Sequence, residues 1–585
     1  MFDERWNDDY EIEQTLSLCG SHAGGPVLHV RGGKAFCYVG ENSCLFSGVP
    51  GSGKTRCGTI PYVLSALQAH ESVLVVDIKG EIYRETAKYI PEAYRGHIYK
   101  FDFRDVQNSE RCDPLSYIHH LYSVGDEKSR ELAYSLLSDF AHSVCAPAPN
   151  SDPFWNQSAA ALFIDAAQFL MQYAAPEQVT VANVFHLVSS GARRSSLAHS
   201  ALERLISLFP TDGNNWKMQL ESYATGCSDT SAGIRQVFST AFAPFLQLPG
   251  LRAMADNTFR IHDLNVEQPT ILYLILPDER KEAYGALAIQ LLNQLCSFYL
   301  STAETSYRGR LPVRTNFIIE EAGNLPPLPC LPSLLNAGRS RNLRVALAVQ
   351  SLSQLDVNYG PDTAKSIRNA AAVQVAFRSN DITTCRELSE LCGDRWAPGA
   401  NGQYVSERLL TPAMVHTLPH RAALCLVNEK KWVAKLPDYT ESFLPRQADC
   451  PAANVPTPSQ KQKAPFDTAL FTNALTKNVL CDAQTKPFLK EARHPPVRSL
   501  DDFLSSESSE APAPVLYSLG IFRYQSRASV LVDCLSRHLQ PEREELAQAL
   551  LGGRPITVRL ANRAKLLSLK KKLTELGFTV SDLSL

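Results

Sequence analysis

"LFSGVPGSGKTRCGTIPYVL" runs from Leu45 to Leu64. A short apolar stretch leads into a glycine-rich turn, a lysine and a threonine close it, and a helix-compatible segment follows. Gly48, Val49, Pro50, Gly51, Ser52, Gly53, Lys54 and Thr55 fit the pattern GxxxxGK[ST]. Each position answers a physical demand. The glycines let backbone amides turn inward into a concave anion nest. The helix behind them points its positive end at a β-phosphate. Lys54 reaches the β- and γ-phosphates, and the Thr55 hydroxyl ligates magnesium. The stretch predicts a strand–loop–helix site for ATP and Mg2+.

Working outward, the segment from Lys34 to Gly48 is strand-like, VLVVDI (Val73–Ile78) reads as a buried strand and HIYKFDF (His97–Phe103) as a third strand. KGEIYRETAKYI, after Asp77, reads as a helix. Strands return at TILYLIL (Thr270–Leu276), NFIIEE (Asn316–Glu321), VALAVQ (Val345–Gln350) and AVQVAFRS (Ala372–Ser379), with a strand pair over Ala422–Leu436. A long helix, ERKEAYGALAIQLLNQLCSFYLS, lies among them. Short apolar strands alternating with helices predict an α/β fold with a mostly parallel sheet. Between them, from about Asp152 to Ala255, no strand pattern is found. FWNQSAAALFIDAAQFLMQYAA and RSSLAHSALERLISLF place apolar residues at helical spacing. The expected organisation is a nucleotide-binding unit in two parts, 1–150 and 258–440, interrupted by an all-helical insertion over 151–257. A Pro-, Gln- and Ser-rich linker over 441–512 follows, then a small C-terminal α+β module over 513–585 with a β-α-α-β-α-β pattern.

The gross numbers narrow the class. A chain of 585 residues exceeds one core. With 58 basic and 60 acidic residues the formal net charge is -2, so a nucleic-acid binder would need a local basic lining rather than a global charge. Fifteen cysteines are scattered singly, without zinc spacing, and read as reduced thiols. The chain opens on MFDERWNDDYEIEQ, unlike a signal peptide, and no apolar run reaches the ~18–20 residues that span a bilayer.

A phosphate loop needs an acidic partner at the end of a neighbouring strand. NFIIEEAGNL supplies Glu320 and Glu321. In the usual Asp-then-Glu arrangement, the first carboxylate holds magnesium through a water and the second polarises the attacking water. Glu320 is one methylene longer than Asp, which re-tunes or slows hydrolysis. Gln350 ends a strand as a polar residue and is placed to sense the γ-phosphate. Arg339 and Arg341, in NAGRSRNLR, are candidates for a trans-acting finger inserted into a neighbour's site, or for solvated surface arginines.

Taken together, these blocks resemble the conjugative coupling proteins of type IV secretion systems, the TraG/TraD-type ATPases, over about residues 40–440. GVPGSGKT is followed by VLVVDIKGE, similar to the family's strand ending in Asp-Pro-Lys-Gly-Glu, with Ile78 replacing the proline. KFDFRDVQNSERCDPLSYI, DPFWNQSAAALF, ERLLTPAMVHTLP and the block IIEEAGNLPPLPCLPSLLNAGRSRNLRVALAVQSLSQLDVNYG resemble further family segments in order. The resemblance implies a RecA-like motor domain with an inserted helical domain, assembling into a ring, a hexamer in the family's manner. It implies ATP-driven movement of single-stranded DNA with its relaxase, or of a protein, into a type IV secretion channel at the inner face of the cell membrane. Carried over by position, Lys54 and Thr55 bind phosphate and metal, Glu320 is the metal-linked acid, Glu321 the catalytic glutamate, Gln350 the sensor, and Asp77 and Lys79 support the nucleotide site. Many members begin with two membrane-spanning helices. Here membrane contact is expected through a partner, which places the chain in the cytoplasm, peripheral to the membrane. KLLSLKKKLTELGFTVSDL resembles the end of the bacterial ribosomal stalk protein's C-terminal domain and reads as a docking module.

Two functions stay open on these residues. One is an ATP-driven translocase. The other is a recruitment adaptor that binds ATP with weak or no hydrolysis, its turnover impaired at Glu320. An FtsK-like chromosome pump fits the motor chemistry but not the helical insertion.

Overall fold

The computed structural model describes residues 4–20, 23–147, 152–191, 202, 206, 216–225, 228–247, 250, 253–254, 257–278, 281–398, 403–441, 517–522, 556–560 and 579–583. The expected linker beyond residue 441, the segment RSSLAHSALERLISLF apart from residues 202 and 206, and the helices of the C-terminal module lie outside the described residues.

A nine-stranded sheet organises the chain. Its strands, labelled in chain order, are β1 (Cys44–Ser47), β2 (Ser72–Asp77), β3 (Ile98–Asp102), β4 (Ile271–Ile275), β5 (Thr315–Ile319), β6 (Leu343–Val349), β7 (Val373–Ala376), β8 (Ala422–Val427) and β9 (Lys430–Lys435). The spatial order is β9-β8-β7-β1-β6-β5-β2-β4-β3. The seven from β7 to β3 pair in parallel, and β8 and β9 add an antiparallel edge. The fold is thus α/β with a mixed, mostly parallel sheet. Strands β1, β2, β4, β5 and β6 are buried along their whole length, which is why they read as unbroken apolar runs.

Alternation along each strand separates two cores. Leu45, Leu74, Val76, Phe317, Ile319, Val345 and Leu347 face one side. Phe46, Val73, Val75, Ile318, Ala346 and Ala348 face the other. The first core continues into a bundle of helices: Pro153–Tyr173, Val181–Gly191, Lys217–Thr225 and Ser228–Leu246. Stacked rings tie it together, with Phe163 and Phe242 at 4.4 Å between centroids. Among the described residues, no helix is long and apolar enough to cross a membrane.

Several expectations shift in detail. The segment Lys34–Gly48 is two strands: Lys34–Cys37 belongs to a separate three-stranded sheet with Ser17–Leu18 and Val27–Arg31, and only Cys44–Ser47 joins the main sheet. Gly40, Glu41 and Asn42 break the run. Glu320, Glu321 and Gln350 lie just past their strands rather than on them. The helix after the phosphate loop opens with a π-helical turn, Lys54–Thr59, before Ile60–Gln68 continues as α. A two-stranded ribbon, Asp394–Pro398 with Tyr404–Arg408, had no signature in the sequence reading. Near the C-terminus, Tyr517–Phe522 pairs antiparallel with both Ile556–Leu560 and Thr579–Leu583.

Candidate nucleotide-binding site

Parallel pairing levels the strand ends. Ser47 lies opposite Val349 and Ala376, and Ile319 opposite Leu347 and Val76. The residues that follow, Gly48, Lys79, Glu320 and Gln350, therefore emerge along one edge, where open parallel sheets place their ligands. The acidic strand is not the neighbour of the phosphate-loop strand, as the sequence reading had it: β6 lies between β1 and β5. Long side chains close the gap.

The phosphate loop is anchored on two strands. Gly48 N–H donates to Val349 O at 3.2 Å, and Val49 N–H to Arg378 O at 3.0 Å. Glycine is required at two positions. A Cβ at Gly48 would sit 2.7 Å from Phe377 Cβ. Gly53 has φ +107°, which other residues rarely adopt. Gly51 lies in open space at φ +77°, and Val49 and Pro50 complete the turn that Ser52 closes through its amide on Val49 O at 3.1 Å. The Ser52 hydroxyl is buried with no hydrogen-bond partner.

Lys54 is buried, and its Nζ donates to Val349 O at 3.1 Å and, more weakly, to Gly48 O at 3.4 Å. Burial pulls its pKa below the usual lysine range, against the attraction of Glu320 and Glu321. Thr55 Oγ1 donates to Glu320 Oε1 at 2.7 Å. Glu320 is 5% exposed, and its other oxygen, Oε2, makes no hydrogen bond. Burial pushes its carboxyl above the usual range, with Lys54 and the Thr55 hydroxyl opposing.

Glu321 sits in the left-handed region at φ +50°, an uncommon backbone state for a non-glycine residue. Its carboxylate accepts from Asn324 Nδ2 at 2.7 Å and lies 3.4 Å from Lys79 Nζ. That carboxylate is the main cause raising the Lys79 pKa. Asp77 stands behind the site. It is 1% exposed, and its carboxylate accepts from the amides of Lys79, Glu81 and Tyr83 at 3.3, 3.1 and 2.8 Å. It shapes the turn that presents Lys79. Burial raises its pKa while those amides lower it.

Gln350 follows β6 next to Val349, whose carbonyl holds Lys54. Its own amide donates to Gln354 Oε1 at 3.0 Å. Gln354 also packs on Gly323, where a Cβ would lie 2.4 Å from its Oε1. Gln354 thus links the β6 turn to the acidic loop and was missed by the sequence reading, as was Arg421, whose amide donates to Ser52 O at 3.2 Å. Gln354 lies four residues after Gln350, so spacing alone was a usable signal; nothing local marks Arg421. Arg339 and Arg341 are not brought to this edge. They precede β6, whose seven residues span roughly 20 Å, at the opposite end of the sheet. Arg341 pairs with Glu304 at 2.6 Å, and the exposed Arg339 lies 3.8 Å from Glu41.

The donor set suits a magnesium triphosphate. A hydroxyl and a carboxylate are the hard oxygen ligands magnesium takes. Glu320 Oε2 is a buried acceptor without a donor, and the glycine turn provides the concave amide face. Among the described residues no cluster of three His, Cys, Asp or Glu offers a softer metal site.

The family model for type IV secretory system conjugative DNA transfer matches residues 7–397. The conjugal transfer protein TraG of Agrobacterium fabrum (strain C58) is 28% identical over 142 residues, 24% of this chain and 21% of its own length, and TraG of Rhizobium radiobacter matches equally. The match thus spans about a fifth of the length of these relatives. Plasmid coupling protein TrwB shares the fold. With the non-hydrolysable ATP analogue ADPNP bound, its structure matches 77% of this chain and 96% of its own at TM-score 0.57 and 18% identity. Its complex with ADP and Mg2+ matches 76% and 96% at TM-score 0.55 and 18% identity.

Proposed function

Because this chain belongs to the type IV secretory system conjugative DNA-transfer family, we propose that it is a coupling protein that hydrolyses ATP to feed a single-stranded DNA–relaxase complex, or a protein, to a secretion channel. The single observation that carries the chemistry is the 2.7 Å contact of Thr55 Oγ1 with Glu320 Oε1, beside the buried Lys54 ammonium. On this reading the parallel sheet is a RecA-like motor, the helices over 151–257 are its inserted domain, and the C-terminal strands belong to a docking module. The working form is a ring of copies, a hexamer, at the inner face of the membrane, tethered through a partner.

Thr55 and Glu320, the latter through a water, are the residues that would hold Mg2+, whose chemistry is to neutralise charge on the terminal phosphates. Lys54 offsets the charge of the β- and γ-oxygens from inside the fold, where low solvent access makes a fixed ammonium effective. Glu321 accepts the proton of a water that attacks the γ-phosphorus. The bond from that phosphorus to the β,γ-bridging oxygen breaks, giving ADP and inorganic phosphate. Lys79 balances Glu321, and Asn324 fixes its rotamer. Gln350 is poised to sense the γ-phosphate. Gly48, Val49, Pro50, Gly51, Ser52 and Gly53 cradle the phosphates. Arg339, remote from its own site, acts in a neighbour's.

The test is ATP hydrolysis by purified protein with and without single-stranded DNA. The expected result is DNA-stimulated turnover that falls at least a hundredfold, on the order of one lost transition-state donor, in Lys54→Ala. Turnover indifferent to DNA at every salt concentration would sink the motor reading. The second reading, a recruitment adaptor, is favoured by one observation, a glutamate at position 320 that is one methylene longer than the aspartate usual there. It predicts Lys54-dependent ATP binding without turnover in the same assay.

A further inference from the structure

Six arginines lie between residues 308 and 344: Arg308, Arg310, Arg314, Arg339, Arg341 and Arg344. Their acidic partners are fewer. Glu71 serves both Arg314 and Arg344, at 3.3 and 2.8 Å, inside the fold. Glu304 takes Arg341. Glu41 is shared as well: its Oε1 lies 2.7 Å from Arg310 Nη2, and its Oε2 lies 3.8 Å from Arg339 Nε. This last cluster is the open one. Arg339 is 69% exposed, Arg310 48% and Glu41 37%. Beside it, Glu304, Arg308, Gly309, Arg310, Ser340 and Arg341 line a cleft of about 470 Å³.

One carboxylate between two guanidiniums leaves a unit of positive charge at a solvent-facing cleft. Guanidiniums match phosphate oxygens as well as they match carboxylates, and two of them set for one anion suit a group with more than one charge. The long 3.8 Å contact makes Arg339 the more weakly held of the two. We propose that Glu41 is an intramolecular placeholder for the terminal phosphate of a nucleoside triphosphate bound to a second copy of this chain, and that Arg310 joins Arg339 as a second prong of the clamp that receives it. In the isolated chain Glu41 keeps both prongs folded back. On assembly the triphosphate, carrying more charge, displaces the carboxylate. Glu41 is a positioning residue that acts through the arginines. The proposal rests on the trans-acting role of Arg339 given above.

The test mixes full-length subunits. A Lys54→Ala copy donates arginines but is designed not to turn over ATP. An Arg339→Ala copy has an intact phosphate loop but lacks its finger. Mixing them restores ATP turnover if Arg339 acts in trans. Glu41→Gln added to the donor is expected to raise the mixed turnover about two- to fivefold, the scale of an exposed ion pair. The same substitution in the acceptor leaves it unchanged, an asymmetry that a merely structural role would not produce. Arg310→Ala in the donor is expected to lower mixed turnover at least tenfold. Restored turnover with equal effects of Glu41→Gln in both copies, with none in the donor, or with no loss on Arg310→Ala overturns the placeholder and leaves the trans role of Arg339 standing. Failure of mixing to restore turnover overturns both.

Discussion

Glu320 carries two conflicting demands. In the proposed role of metal-linked acid it must be ionised beside Lys54; as a residue 5% exposed it is pushed toward the neutral form. The sign of the consequence follows from linkage. Its folded pKa lies above the ordinary 4.5, so the native state holds its proton longer than the unfolded chain. That stabilisation is complete below the unfolded value and is lost as pH rises through the folded one. Glu320→Gln removes the titration. We expect this variant to melt above the wild type at pH 7, with a gap that widens from pH 4 upward and then levels, while ATP turnover is lost. Thermal unfolding by circular dichroism across pH checks this; a variant that melts lower at pH 7 refutes it. Stability gained as function is lost is the usual mark of a strained site. Glu321 repeats the pattern in its backbone, held at φ +50°. The residue types at the site were legible because phosphate binding restricts composition at fixed spacing. The strain at Glu321 was not, because φ is set by packing around the turn.

At the scale of elements, the sheet's opposite end is locked by a buried polar network that no motif announces. Arg344, at the start of β6 and 1% exposed, donates to Glu71 Oε2 at 2.8 Å, Asn316 Oδ1 at 2.9 Å, Gly24 O at 2.7 Å and Gly40 O at 3.0 Å. Asn316 on β5 in turn donates to Glu71 at 3.0 Å and accepts from Tyr62 at 3.1 Å. The network ties β5, β6, the phosphate-loop helix and the loop at residues 24–25 into one unit. Removing one partner strands a buried charge. Glu71→Ala should therefore cost about 3–5 kcal/mol in chemical denaturation. A single-variant loss below about 1 kcal/mol would show the network to be incidental. The strands themselves were readable from apolar runs. Their spatial order was not, and that is how β6 came to stand unannounced between β1 and β5.

For the whole molecule, the sheet and the helical bundle meet at two crossing segments that bond to each other. Cys112 N–H donates to Ala253 O and Phe259 N–H to Arg111 O, each at 3.1 Å. Thr258 Oγ1 accepts from Arg111 N–H at 2.8 Å and donates to Glu110 Oε2 at 2.6 Å. Asp113, 2% exposed, is the pivot. Its amide donates to Asn257 Oδ1 at 2.6 Å, and its carboxylate accepts from Leu115 N–H at 2.9 Å and Val181 N–H at 3.1 Å, capping helices on both sides of the crossing. Asp113→Ala leaves two buried amides unsatisfied, each at a cost of about 1–3 kcal/mol. Hydrogen exchange should show protection lost across the helices at 153–191 and 228–246 before the strands of the sheet. Uniform loss over both would refute a hinge-like role.

The sequence by itself determined the local pattern: a GxxxxGK[ST] turn at Gly48–Thr55, an acidic pair at Glu320 and Glu321, apolar strands, helical periodicity from Pro153 to Tyr173, and a block order that matches the family. These are short-range properties, written in spacing and periodicity. Tertiary structure alone decided that Thr55 and Glu320, 265 residues apart, touch across an intervening strand, that Asp77 serves backbone amides, and that Arg339 lies at the opposite end of the sheet from the phosphate loop, beside Glu41. Those facts depend on strand order and register, which arise from the packing of two cores against one sheet and leave no signature at fixed spacing along the chain.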